Sequence, residues 1–220
     1  MDTYNAIVNF FQEGGMFMYP ILVVFALGIA IAIERYIYLT LSKNTNQRAW
    51  KQIIPLVKDG RIDQANTIIN KSRAALCKIL SYGMDRIRQA RRRDDIETAL
   101  EEGLMEFIPR LEKRTHYLAI LANIATLLGL LGTIIGLIRA FTAVSNANPA
   151  DKADLLSASI SVAMNTTAFG LMVAIPLLVT HVVLTAKTGQ IVDSLEMASV
   201  KTLNVLSSKA KRASEARAAA

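Results

Sequence analysis

The chain has 220 residues, of which 52% are apolar and 20% charged, with a formal net charge of +7. The charges fall in blocks between long uncharged stretches, which excludes an ordinary soluble domain and indicates a membrane protein with aqueous segments. The one cysteine, Cys77, excludes an intrachain disulfide.

The first predicted elements lie at and before the membrane. Residues 1–15 have the pattern of a periplasmic amphipathic segment. Residues 16–40 are predicted to form the first transmembrane helix, whose uncharged part ends at Glu34-Arg35 and is followed by interfacial tyrosines.

Residues 41–115 are predicted to form a helical cytoplasmic domain. Apolar residues recur there near the helical period, and Gly60 indicates a break. A long helix is expected from about Asp94 into the second span. The arginines at 91–93 adjoin acidic residues and lack a binding motif, so we expect a solvated helix face near membrane lipids and no nucleic-acid partner.

The rest of the chain predicts two more spans. Residues 116–143 form the second transmembrane helix and 155–186 the third, since each contains enough uncharged residues to cross ~30 Å of hydrocarbon. Residues 144–154 are predicted to form a periplasmic loop between them. Residues 187–220 are predicted to form a cytoplasmic C-terminal helix and tail.

Orientation follows from the basic residues. They are dense between Ser42 and Arg114 and again from Lys187 onward, whereas the loop between the last two spans contains only Lys152. The positive-inside rule then places the amino terminus outside and the carboxyl terminus inside. The expected fold is an all-α membrane protein with three transmembrane helices, extended into a helical cytoplasmic domain.

Enzyme motifs do not appear in the sequence. It contains no phosphate loop, no dinucleotide fingerprint and no nucleophile elbow. Neither His116 nor His181 has a second ligand at metal spacing. We therefore expect no enzymatic activity, no metal and no cofactor.

Small residues punctuate the second and third spans. Gly132 and Gly136 have the GxxxG spacing that lets two helices approach closely. The predicted helix-packing residues are Gly129, Gly132, Gly136, Gly170 and Pro176, where Pro176 is expected to kink the third span.

Polar residues accompany these glycines at one depth. Thr133 in the second span and Asn165, Thr166 and Thr167 in the third should lie at similar depth because the spans run antiparallel. Such side chains serve either as helix-packing contacts or as the lining of an ion pathway. Neither span carries a carboxylate within its apolar run, so a proton path would need an acid from a partner.

Three stretches, LGLLGTIIGLIRAF, TAFGLMVAIP and IERYIYL, resemble the ExbB/TolQ/MotA proton-channel family, and most closely ExbB. The resemblance implies a bacterial inner-membrane motor: a pentamer of this chain around two copies of an ExbD/TolR-like single-span protein, driving a TonB-like protein. It maps pore threonines onto Thr133 and Thr167. The alternatives are a TolQ-like envelope-integrity motor and a non-conducting membrane scaffold.

One departure from the family concerns the acid. ExbB and TolQ carry a glutamate five residues before the third-span threonine, where this chain has Val162. The extra hydroxyl of Thr166 resembles sodium-driven stators, and oxygen ligands suit a hard cation. Proton coupling is the family default, and sodium coupling is the alternative.

Overall fold

The computed structural model describes residues 14–87, 93–145 and 147–218, so most of the predicted amphipathic segment at 1–15 lies outside it. Over the described residues every regular element is an α-helix. In chain order these are α1 Met18–Asp59, α2 Ile62–Lys71, α3 Ala75–Ile87, α4 Arg93–Glu112, α5 His116–Ser145 and α6 Lys152–Ala218.

Three helices, α1, α5 and α6, carry stretches long and apolar enough to cross a membrane, which confirms the predicted all-α fold. Two of them, α1 and α6, extend far beyond their apolar stretches. In each of the three, less than a third of the most apolar stretch is buried within the chain. The remaining apolar surface is therefore available to lipid or to other protein chains.

The described residues form two compact units. The apolar unit comprises the residues up to Arg35 together with Arg114–Val183, and the charged unit comprises Tyr36–Lys113 together with the residues from Leu184 onward. The first holds the apolar parts of α1, α5 and α6. The second holds α2, α3 and α4 with the polar parts of α1 and α6.

Within the apolar unit, α1 packs on α6 at Gly28, where a side chain would collide with Leu177. Leu118, Ala122 and Ala125 form the buried face of α5. Small residues therefore recur where the helices meet. This is expected in a membrane, because lipid tails are as apolar as large side chains and helices instead gain from close backbone packing.

Within the charged unit, α2 packs on α3 and α3 packs on α4. A Cβ atom on Gly103 of α4 would lie 3.1 Å from the Ile79 Cα of α3, so these helices approach closely. The predicted break at Gly60 is confirmed: α1 ends at Asp59, and Gly60 has a φ of 85°. Glycine adopts this left-handed conformation without steric cost, which explains why the helix ends there.

The expected continuous helix from Asp94 into the second span was wrong. The helix does not break at Pro109, which lies inside α4, but between Glu112 and His116. Arg114 there has a φ of 68°, a left-handed conformation that an α-helix does not accommodate. Its guanidinium forms a 2.7 Å ion pair with Glu34 of α1, a contact between distant parts of the sequence.

Candidate ion pathway between α5 and α6

Glycines bring the backbones of α5 and α6 into close contact. A Cβ atom on Gly170 would lie 2.7 Å from the Ala125 carbonyl oxygen, and one on Gly129 would lie 3.2 Å from the Thr167 Cα. Further along α5, one on Gly136 would lie 2.8 Å from the Ala163 Cβ. Contacts that advance along α5 therefore move back along α6, so the two helices run antiparallel.

Thr133 and Thr167 meet across this close contact. Their hydroxyl groups are hydrogen-bonded to each other, and both lie within reach of the same acceptor, the Gly129 carbonyl oxygen, at 3.2 Å and 2.9 Å. The Thr133 hydroxyl also lies 3.4 Å from the Ala163 carbonyl oxygen. Both side chains are half-buried. We call these three groups, the two hydroxyls and the Gly129 carbonyl, the threonine pair site.

The threonine pair site has more acceptors than protons. Each hydroxyl carries one donor proton, so the bonds to the carbonyls and between the hydroxyls cannot all form at once. The proton positions can therefore rearrange by rotation of the hydroxyls, without movement of the helices. Such a group can donate to an incoming carboxylate or offer oxygen atoms to a cation.

Thr166 does not join the threonine pair site. Its hydroxyl donates to the Gly14 carbonyl oxygen at 2.6 Å or to the Val162 carbonyl oxygen at 3.0 Å, and its side chain is 2% exposed. Its methyl group packs on Gly132. Thr166 thus holds the turn before α1 against α6.

The other two sequence candidates also lie apart. The Asn165 side chain is half-buried and forms no hydrogen bond with any residue in the described part of the chain. Pro176 is exposed, and its carbonyl oxygen accepts a 2.8 Å hydrogen bond from the Thr180 hydroxyl one turn later. Pro176 lies outside the run of glycine contacts between Gly129, Gly136 and Gly170 that brings α5 and α6 together.

Val162, where the resemblance would place a glutamate, faces the turn before α1. A Cβ atom on Gly15 would lie 3.3 Å from the Val162 side chain. Gly15 itself has a φ of 75°, which a larger residue rarely adopts. The space beside Val162 is thus partly filled by backbone.

Sequence reasoning missed a polar cluster at the other end of the apolar unit. Arg35 is only 3% exposed, and its Nε donates a 3.3 Å hydrogen bond to the Thr115 hydroxyl. The Nδ1 of His181 lies 3.1 Å from the Thr115 carbonyl oxygen. One signal was available: Glu34-Arg35 and Arg114-Thr115 stand at the ends of two spans that the positive-inside rule places on the same side of the membrane.

Comparison with known proteins assigns the family. The model of the MotA/TolQ/ExbB proton channel family matches residues 71–197, more than half of the chain and all of the threonine pair site. The chain belongs to the MotA/TolQ/ExbB proton channel family.

Individual relatives within the MotA/TolQ/ExbB family carry ExbB names. A putative biopolymer transport protein ExbB homolog of Methanothermobacter thermautotrophicus is 28% identical over 202 residues, which cover 90% of this chain and 69% of that protein. The biopolymer transport protein exbB1 of Vibrio cholerae is 26% identical over 167 residues, 75% of this chain and 73% of that protein. A putative ExbB-like protein of Synechocystis is 25% identical over 165 residues, with coverage of 74% and 78%.

These matches support a biopolymer transport component that crosses the membrane several times. The family model begins at Lys71 and so leaves out α1. The Methanothermobacter relative covers most of the chain, which extends the likeness beyond the part that the family model matches.

Proposed function

We propose that this chain is the ExbB-like subunit of an ion-driven motor in the bacterial inner membrane. With an ExbD-like partner, it uses the proton gradient to energise TonB-dependent transport across the outer membrane. The observation that carries the proposal is the threonine pair site, where Thr133, Thr167 and the Gly129 carbonyl converge on one point of two apolar helices.

The proposed mechanism needs an acid from the partner. The apolar runs of α5 and α6 contain no carboxylate that could carry a proton. A partner aspartate would be costly in hydrocarbon when ionised, and donation from the Thr133 and Thr167 hydroxyls would lower that cost. Proton binding would remove the charge, release the aspartate from the hydroxyls and let the partner move to the next subunit.

The proposed assembly is a pentamer of this chain around two copies of the single-span partner, which would act on a TonB-like protein. The large apolar surface that one chain leaves exposed supports an oligomer. The proposed orientation has the amino terminus in the periplasm and the carboxyl terminus in the cytoplasm. The dense basic residues of the charged unit support it, because such residues favour the cytoplasmic side.

Proton coupling is preferred over sodium coupling because of Thr166. Its hydroxyl donates to the Gly14 carbonyl or to the Val162 carbonyl and does not add an oxygen to the threonine pair site. Transport measured without sodium, at constant proton-motive force, tests this choice. Full activity supports proton coupling, and loss of activity that sodium restores contradicts it.

The function is tested by replacing the paired hydroxyls with methyl groups of the same shape. Thr133→Val and Thr167→Val are expected to abolish growth on a nutrient taken up by TonB-dependent transport. The matched controls are Thr126→Val in α5 and Thr180→Val in α6, because those hydroxyls donate to the carbonyl four residues earlier in their own helix. The controls should retain growth.

A structural scaffold is the second candidate, and the close glycine contacts between α5 and α6 favour it. Size-exclusion chromatography of the same variants separates the two functions. Loss of transport with an intact oligomer supports the motor. Loss of the oligomer in both Thr133→Val and Thr167→Val would favour the scaffold. A TolQ-like role would appear as detergent sensitivity of the cells, with nutrient uptake unchanged.

A further inference from the structure

The charged unit contains a cavity of about 330 Å³ between α1, α4 and the connection from α2 to α3. Two arginines, Arg73 from the connection and Arg110 from α4, line it together with three hydroxyl-bearing side chains, Tyr38, Ser42 and Thr45. We call it the arginine cavity. Its volume lies within the range of small-ligand pockets, ~300–1,000 Å³.

The arginine cavity has a positive lining. Among the residues that the structure describes, neither an aspartate nor a glutamate lines it. Arg73 is exposed and forms no ion pair or hydrogen bond with any residue in the described ranges. Arg110 stacks on the Phe107 ring at 4.8 Å and uses one terminal nitrogen for a 2.6 Å ion pair with Glu106, which leaves further N–H groups of its guanidinium unused by that pair.

The walls of the arginine cavity are held by internal contacts. Asn46 is 4% exposed, and its side-chain oxygen accepts the Leu76 backbone N–H at 3.2 Å, which ties α1 to the start of α3. Phe107 and Leu111 of α4 are buried. The cavity is therefore largely formed before any ligand binds, which reduces the entropy lost on binding.

The position along α1 indicates which anion can reach the cavity. Tyr38 and Leu41 follow Ile33, the last residue of the first uncharged run, by five and eight positions, or about 8 and 12 Å of helix. The headgroup layer on each side of a ~30 Å hydrocarbon core is ~5–8 Å thick, so Tyr38 lies at its outer edge and Leu41 just outside it. Both side chains are exposed and offer apolar surface next to the arginines.

We propose that the arginine cavity binds a phosphate group, supplied either by the headgroup of an anionic phospholipid or by free inorganic phosphate. Arginine pairs with phosphate through two parallel hydrogen bonds, and the hydroxyls of Ser42 and Thr45 can donate to the remaining oxygens. The apolar lining favours the lipid source. This site stands apart from the threonine pair site, and its test does not depend on ion transport.

The experiment measures lipid and phosphate binding to the purified full-length protein. In lipid nanodiscs, native mass spectrometry compares retention of phosphatidylglycerol with that of phosphatidylcholine. In lipid-free detergent, calorimetry measures binding of inorganic phosphate alone. Arg73→Gln and the double variant Arg73→Gln/Arg110→Gln are compared with Arg48→Gln, an exposed arginine of α1 with the same charge change outside the cavity.

The wild type should prefer phosphatidylglycerol, and the double variant should lose at least about tenfold of that preference, since each lost bond is a charge-assisted one. Arg48→Gln should keep it. If inorganic phosphate binds to the wild type in detergent and Arg73→Gln abolishes this binding, the site is supported and its ligand is the free anion. Equal binding of both probes by the wild type and Arg73→Gln would overturn the proposal.

The single variant Arg73→Gln is sufficient for this test if the double variant fails to fold. Arg73 is exposed and forms no ion pair or hydrogen bond within the described part of the chain, so its replacement should leave the folded structure intact.

Discussion

The close approach of α5 and α6 can be tested by adding one methyl group. In Gly170→Ala, the new Cβ would lie 2.7 Å from the Ala125 carbonyl oxygen and 3.1 Å from the Gly129 Cα, and both are backbone atoms that cannot rotate away. The helices must separate by several tenths of an ångström. Overpacking of this kind costs about 1–3 kcal/mol.

The matched control is Gly189→Ala in the same helix, where a Cβ would meet nothing within 4 Å. Both variants gain about 1 kcal/mol from the better helix propensity of alanine. That gain cancels in the comparison, so Gly170→Ala should have a free energy of unfolding about 1–3 kcal/mol below that of Gly189→Ala.

The assay is reversible unfolding of the purified protein in detergent micelles, followed by circular dichroism at increasing denaturant. A second readout is transport, since separating the helices also pulls Thr167 away from the Gly129 carbonyl. Equal free energies of unfolding in Gly170→Ala and Gly189→Ala would refute the close contact on which the threonine pair site depends.

Three further predictions concern other parts of the chain. Thr166→Val should lower the melting temperature by removing the buried bond to the Gly14 carbonyl, worth about 1 kcal/mol, and unchanged melting would contradict this. Burial raises the pKa of the Cys77 thiol above 9.0, so maleimide should label it only after unfolding; rapid labelling of the folded protein would show that it is accessible. The hydrogen bond to the Glu106 carboxylate raises the pKa of Tyr82 above 10.0. The stability that this bond contributes is therefore present below pH 10 and is lost as the pH rises through the raised pKa. Difference spectra against Tyr82→Phe should show that Glu106→Gln lowers this pKa, and an unchanged titration would argue against the contact.

The three apolar helices could be predicted from the sequence because the fixed thickness of the hydrocarbon core sets the minimum length of an apolar stretch that crosses it. The break at Gly60 was equally visible, since glycine adopts a left-handed φ at little cost. The break at Arg114 was not, because arginine carries no such preference. There the chain conformation accompanies an ion pair with Glu34, eighty positions away, which no local pattern indicates.

The candidate site was predictable in composition but not in geometry. Neighbouring residues on a helix point about 100° apart, so Thr166 and Thr167 cannot both face Thr133. Which of them does depends on the rotation of α6 about its axis. The contact between Gly129 and Gly170 sets that rotation, and the sequence does not reveal which helix faces will meet.

The most direct test of the proposed mechanism is ion flux through the assembled complex. Proteoliposomes containing this chain and the proposed single-span partner would report proton entry by a pH-sensitive dye under an imposed gradient. Thr167→Val should reduce the flux by about tenfold or more, because it removes a hydrogen bond to a charged group, whereas Thr167→Ser and the control Thr180→Val should conduct. Wild-type flux through Thr167→Val, in an oligomer of normal size, would contradict the claim that the threonine pair site lines the ion path.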